Sequence, residues 1–149
     1  MAATRIQIVI DCVDCHPLAG FWAAATGYVH EDLDAFIRGV VDAGHASTDD
    51  VVEIDGKLRW KGLASLRHPD DPADARDVGQ GRRILLIEVP EPKTVKDRIH
   101  LDLLVGPDGR EAEVERLVAL GAKVLYEVDE PGSRHTTMAD PEGNEFCVA

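Results

Sequence analysis

Two groups that can do chemistry, His100 and Asp102, stand inside the apolar run Arg-Ile-His-Leu-Asp-Leu-Leu-Val at 98–105. An imidazole titrates near neutral pH and ligates metals, and on a strand a carboxylate two residues away shares its face. Asp102 then either orients a ligand or pairs with a cation such as Arg98. A second candidate is Cys12-Val-Asp-Cys15, whose spacing matches redox and zinc half-sites. No second CxxC pair completes a zinc site, and Cys12 reads as the end of a buried strand, so a redox role is not expected. Cys147 is either a thiolate ligand or a small buried hydrophobe. His135 lies inside a strand, whereas His16, His30, His45 and His68 fall at element ends or in loops and are expected to be solvated.

The elements that must position these groups follow from periodicity. Residues 6–12 alternate Ile6, Ile8 and Ile10 against Gln7, Val9 and Asp11, a strand with one apolar face. Asp14 and Pro17 supply helix-start chemistry, Leu18, Phe21, Trp22 and Ala25 make one apolar stripe, and Gly27 closes the helix. Residues 31–43 read as a second helix closed by Gly44. A strand at 51–54, an Asp55-Gly56 hairpin turn and a partner strand at 58–66 come next, with Leu58 and Trp60 inward. Residues 68–81 are a surface loop, 84–89 a strand, and Pro90-Glu-Pro92 a connector. The run at 98–105 opens a second series. It continues with a helix from Pro107-Asp-Gly109 to Leu120 and strands at 123–128 and 134–139. An Asp140-Pro-Glu-Gly-Asn144 turn and a strand at 145–149 complete it.

Bulk properties exclude several classes. The 149 residues suit one compact domain, with 44% hydrophobic and 30% charged residues. A formal charge of −12 repels phosphate backbones and anionic lipid, so neither nucleic acid nor membrane is an expected partner. No apolar run approaches the ~20 residues of a membrane span, and no signal peptide is evident, so the expected location is cytoplasmic. Three cysteines do not make a disulfide framework.

The two series agree in order: strand, helix, then three strands, twice. Gln7 lies twenty residues before Gly27 and His100 twenty-one before Gly121. Arg67-His-Pro-Asp-Asp71 parallels Ala139-Asp-Pro-Glu-Gly143, each placed before the last strand of its half. The helix at 31–43 and the loop at 68–81 account for the longer first half. This duplication, the Arg-Ile-His-Leu-Asp-Leu strand after Val-Pro-Glu-Pro-Lys, and the terminal Asp-Pro-Glu-Gly-Asn-Glu-Phe-Cys-Val resemble the vicinal oxygen chelate superfamily. The closest likeness is to its glyoxalase-like domains, related to glyoxalase, bleomycin-resistance and dioxygenase proteins.

The resemblance implies an α+β fold: two tandem βαβββ modules, about 5–92 and 98–149, forming a curved mixed sheet around a cavity with helices outside. It also implies a metal site with one ligand from the first and last strand of each half. The matching positions are Gln7, Glu88 and His100, with Glu145 as the fourth, because Cys147 stands where family members commonly carry a glutamate. Such a set suits a divalent Zn, Fe, Mn or Ni ion. His100, Asp102, Trp60 and Cys147 would line the ligand pocket. The implied function is metal-assisted chemistry on the vicinal oxygens of a small molecule by a lyase, isomerase or dioxygenase. The alternative is metal-free binding that sequesters a small molecule such as an antibiotic. A homodimer is expected because relatives pair.

Overall fold

The computed structural model describes residues 3–149. It divides into two compact units, one running to Pro90 and the other from Glu91 to Ala149, with residues 24–26 grouped with the second. The fold is mixed α+β, with three α-helices and two four-stranded mixed sheets. Among the described residues no helix is long and apolar enough to cross a membrane.

The first unit contains β1 (Ile8–Cys12), α1 (Cys15–Thr26), β2 (Val29–His30) and α2 (Asp34–Asp42). It continues with β3 (Val51–Ile54), β4 (Lys57–Trp60), β5 (Leu63–Arg67) and β6 (Arg83–Glu88). Its sheet has the order β1-β6-β5-β2, with β1 parallel to β6 and the other pairs antiparallel. Ile84, Leu86, Leu66 and Ala64 alternate onto its buried face. Leu18, Phe21, Trp22 and Ala25 of α1 are buried, as their helical spacing predicts. Asp14 sits at the N-cap of α1 without a side-chain capping bond. Glu88 does that work instead, its Oε1 accepting the Cys15 N–H at 3.2 Å.

The second unit repeats this plan with β7 (Leu101–Leu103), α3 (Arg110–Ala119), β8 (Lys123–Glu130), β9 (Ser133–Ala139) and β10 (Glu145–Val148). Its order is β7-β10-β9-β8, again with only the first pair parallel. Leu117, Met138, Phe146 and Val148 form its buried centre. Val118 is 47% exposed, while its neighbour Leu117 is fully buried. The Asp140–Asn144 turn is organised by its first side chain. Asp140 Oδ1 accepts the N–H groups of Glu142 and Asn144, and Oδ2 accepts Asn144 Nδ2.

Three expectations need correction. The short strand β2 was not expected, and it, rather than 51–54, is the first of the three strands that follow α1. The insertion is therefore α2 plus the β3–β4 hairpin, which forms its own two-stranded sheet. The strand expected at 58–66 is two strands, because Gly62 turns the chain at φ +69 between β4 and β5. The strand at 98–105 shortens to β7, so His100 lies just before its first ladder residue. The reason is local. Asp97 Oδ2 takes the N–H of Glu145 at 3.2 Å, and the Asp97 N–H donates back to the Glu145 carboxylate at 3.0 Å. A side-chain clasp thus occupies the groups that would have paired residue 100.

Candidate functional site

In the second unit the parallel pairing of β7 with β10 sets Asp102 opposite Cys147, and the antiparallel pairing of β10 with β9 sets Cys147 opposite Thr137. Alternation then puts His100, Asp102, Cys147 and Thr137 on one face. His100 Nδ1 is 3.0 Å from Asp102 Oδ1 and 3.9 Å from Cys147 Sγ. One donor atom from each of His100, Asp102 and Cys147 lies within 4.8 Å of the other two. Ligands of one tetrahedral metal stand roughly 3–4 Å apart, so the triangle needs little adjustment to close on an ion. Its imidazole and carboxylate are open to solvent and its thiol is buried. Burial pushes the Cys147 thiol up, Thr137 Oγ1 at 3.6 Å opposes this, and the Asp102 charge adds to it. The thiol therefore stays protonated at neutral pH until a cation competes for it.

Glu145 shares that face but is otherwise engaged. Its carboxylate pairs with Lys93 Nζ at 3.0 Å and accepts the Asp97 N–H. Burial acts to raise its pKa, but the Asp97 N–H and the Lys93 ammonium outweigh burial and hold it down at about 2. Its structural work here is to clasp the 93–97 connector to β10.

The register shows Gln7 to be the first unit's counterpart of His100. Gln7 precedes the Ile8–Ile84 pair as His100 precedes the Leu101–Phe146 pair. By the same register Val9 stands in the place of Asp102, Leu85 of Cys147, and Arg83 of Glu145. No donor triangle forms there. Arg83 instead clamps the Glu31 carboxylate through Nε and Nη2 at 2.6 and 2.7 Å, and Gln7 Oε1 accepts from Arg83 Nη1 at 2.6 Å. Glu31 also accepts the Gly79 N–H, which closes the 68–81 loop on the sheet. Burial works to raise the Glu31 pKa, and the bonds from Arg83, Ser65 and Gly79 together lower it.

Glu88 shares its alternation with Ile84 and Leu86, the buried positions, and so lies on the opposite face of the sheet from Gln7. As a ligand it does not join Gln7, because one sheet face cannot present both side chains. Cys12 and Cys15 are buried thiols outside any disulfide. Burial, with a hydrogen bond and repulsion from Glu88, takes Cys15 up to about 12, which silences it as a nucleophile.

Trp60 lines a different feature, a pocket of about 80 Å³ whose walls come from residues 16–65 of the first unit. Contrary to expectation, His16 and His30 are half-buried and line this pocket. His16 Nε2 is 3.0 Å from the Trp60 carbonyl oxygen, and His30 Nδ1 is 3.5 Å from Arg59 Nη1. Reading the sequence missed Thr137, Arg59 and both histidines, because each is recruited by a strand distant in sequence. The CxxC-like salience of a motif had no counterpart for them.

Comparisons with known proteins agree with this topology. A solved glyoxalase/bleomycin resistance protein/dioxygenase family enzyme from Burkholderia phytofirmans PsJN is 15% identical, with 95% of this chain and 94% of that chain covered at a TM-score of 0.58. The fosfomycin resistance protein FosX from Listeria monocytogenes, solved with Mn(II) and 1S,2S-dihydroxypropylphosphonic acid, is 12% identical. Its alignment covers 99% of this chain and 90% of that chain at a TM-score of 0.60. FosX from Mesorhizobium loti is 9% identical over 99% and 91% of the two chains, with a TM-score of 0.58. At such identities the likeness is one of fold. No curated protein matches the sequence. The profile of the glyoxalase-like domain matches residues 7–149, nearly the whole chain, and the protein belongs to that family within the vicinal oxygen chelate superfamily.

Proposed function

We propose that this protein is a metal-dependent enzyme acting on a small molecule with vicinal oxygens, and that its metal is held by His100, Asp102 and Cys147. The observation that carries the reading is the donor triangle, three ligating atoms within 4.8 Å of one another on one sheet face. The donor set fits a borderline divalent ion: a nitrogen, a hard oxygen and a soft sulfur together favour zinc over a purely oxygen-seeking cation. A bound ion would polarise substrate oxygens as a Lewis acid. The chain's own residues do the rest. Asp102 Oδ1 stands 3.0 Å from His100 Nδ1 and Thr137 Oγ1 3.6 Å from Cys147 Sγ, contacts that hold the three donors together on one face. Cys147 loses its proton when the ion binds, so uptake releases acid.

Of the ligands implied by the family, His100 stays central, while Glu145 is committed to Lys93 and Asp97 and Gln7 to Arg83. The same reading takes the chain as one cytoplasmic domain of two modules, about 5–92 and 98–149, working as a homodimer. The Mn(II) in the Listeria FosX structure supports a divalent ion in this superfamily. Metal analysis of protein purified without chelator, followed by zinc titration, tests the proposal. One ion per chain is expected in the wild type, with affinity lost in His100→Ala. Wild-type protein that takes up no divalent metal would leave only the metal-free binding alternative.

A further inference from the structure

The first unit holds a pocket that the metal chemistry does not use. It lies where β2 stops: β2 pairs only with Leu66 and Arg67, so the edge of β5 from Leu63 to Ser65 carries no full partner strand. The inserted helix α2 and the β3–β4 hairpin close around that edge. Ile37, Leu58 and Trp60 give the pocket an apolar and aromatic lining, and Lys57, Arg59 and the rings of His16 and His30 add nitrogen groups.

The two acidic residues that line it are already neutralised. Glu31 is clamped by Arg83, and Asp32 is paired with Lys57 at 2.5 Å. Arg59, by contrast, has no carboxylate in an ion pair with it among the described residues; its side chain contacts His30 Nδ1 at 3.5 Å. The Trp60 carbonyl oxygen accepts from His16 Nε2, so the buried and unpartnered Nδ1 of the neutral ring is an acceptor. Burial, reinforced by Arg59 and His16, lowers the pKa of His30, so it offers a neutral ring beside the fixed guanidinium charge.

We propose that this pocket is a binding site for a small organic monocarboxylate with an apolar, ring-sized body. Its carboxylate would meet Arg59, with the His30 ring beside it, and its ring would pack against Trp60, Leu58 and Ile37. Guanidinium–carboxylate pairing supplies the geometry and charge, and pockets of this kind combine a mainly apolar lining with a few convergent polar groups. The site belongs to the inserted α2 and hairpin, and it stands independently of the metal triangle.

Benzoate is the probe, titrated into the full chain by calorimetry and by tryptophan fluorescence. A dissociation constant at or below about 1 mM is expected, with benzamide at least about tenfold weaker. Arg59→Gln should weaken benzoate by about tenfold or more. Arg59→Lys, which keeps the charge and loses the fork, should fall between, and it serves as the reading if the glutamine variant melts early. His100→Ala should bind benzoate as the wild type does, which separates this site from the metal reading. The proposal fails if wild-type protein ignores benzoate up to about 10 mM. Equal binding by both Arg59 variants, or loss of binding in His100→Ala, would also overturn it.

Discussion

The two units share one strand order and one register, yet they use the same sheet face for opposite purposes. In the first, Arg83 grips the buried Glu31 carboxylate and Gln7, and the face is consumed by a structural clamp. In the second, the corresponding positions leave His100, Asp102 and Cys147 close together. Glu145 occupies the place of Arg83, and it turns to Lys93 and Asp97 instead of to the histidine. A duplicated backbone fixes where side chains can meet. Whether the meeting is a clamp or a cluster of candidate ligands depends on which copy carries the guanidinium.

The largest effect expected from breaking this difference lies in the clamp. Arg83→Ala leaves Glu31 charged, fully buried as a side chain, and held by the Gly79 N–H without its cation. Loss of one partner from a buried pair costs about 3–5 kcal/mol, to be read from the denaturant midpoint. A variant as stable as the wild type would show that the clamp is dispensable. In the second unit, Cys147→Ser should leave stability nearly unchanged and lower zinc affinity by about 100-fold or more, since a soft thiolate is replaced by a hydroxyl. Equal affinity in a chelator competition would remove the thiol from the site.

The third effect is a pH dependence. Glu145 has its folded pKa depressed to about 2, below the ordinary carboxylate value of 4.5. A depressed folded pKa contributes stability that is present above the unfolded pKa and lost as pH falls through the folded one. Wild-type stability should therefore decline between about pH 4.5 and 2. Glu145→Gln should flatten part of that decline in acid denaturation, and an unchanged acid limb would count against the clasp. The smallest effect should come from transplanting the histidine. Gln7→His should not raise the number of zinc ions bound per chain, because Val9 and Leu85 stand where Asp102 and Cys147 stand in the other copy. An extra bound ion would show that one imidazole suffices.

Much of the fold was legible from local pattern. The Leu18, Phe21, Trp22 and Ala25 stripe, the Asp55-Gly56 turn and the capping Gly27 each act within a few residues, and each is found where the sequence places it. The internal repeat was legible too, and the register confirms Gln7 and His100 as equivalent positions. Two kinds of information were not. Strands of two or three residues such as β2 and β7 carry too little periodicity to announce themselves, and their limits are set by competing side-chain bonds such as that of Asp97 to Glu145.

The face on which a strand-end residue lies was hidden as well. Glu88 looked available as a ligand until alternation with Ile84 and Leu86 placed it over the start of α1. His16 and His30 looked solvated until the inserted hairpin closed over them. The sequence by itself determined the duplicated βαβββ plan and the family, and it singled out His100 as a candidate, because these rest on short-range spacing. Only the tertiary structure decided that Asp102 and Cys147 are its partners and that Gln7 is held by an arginine. Such pairings depend on which strand lies beside which, and that is set by packing across the sheet rather than by neighbours along the chain.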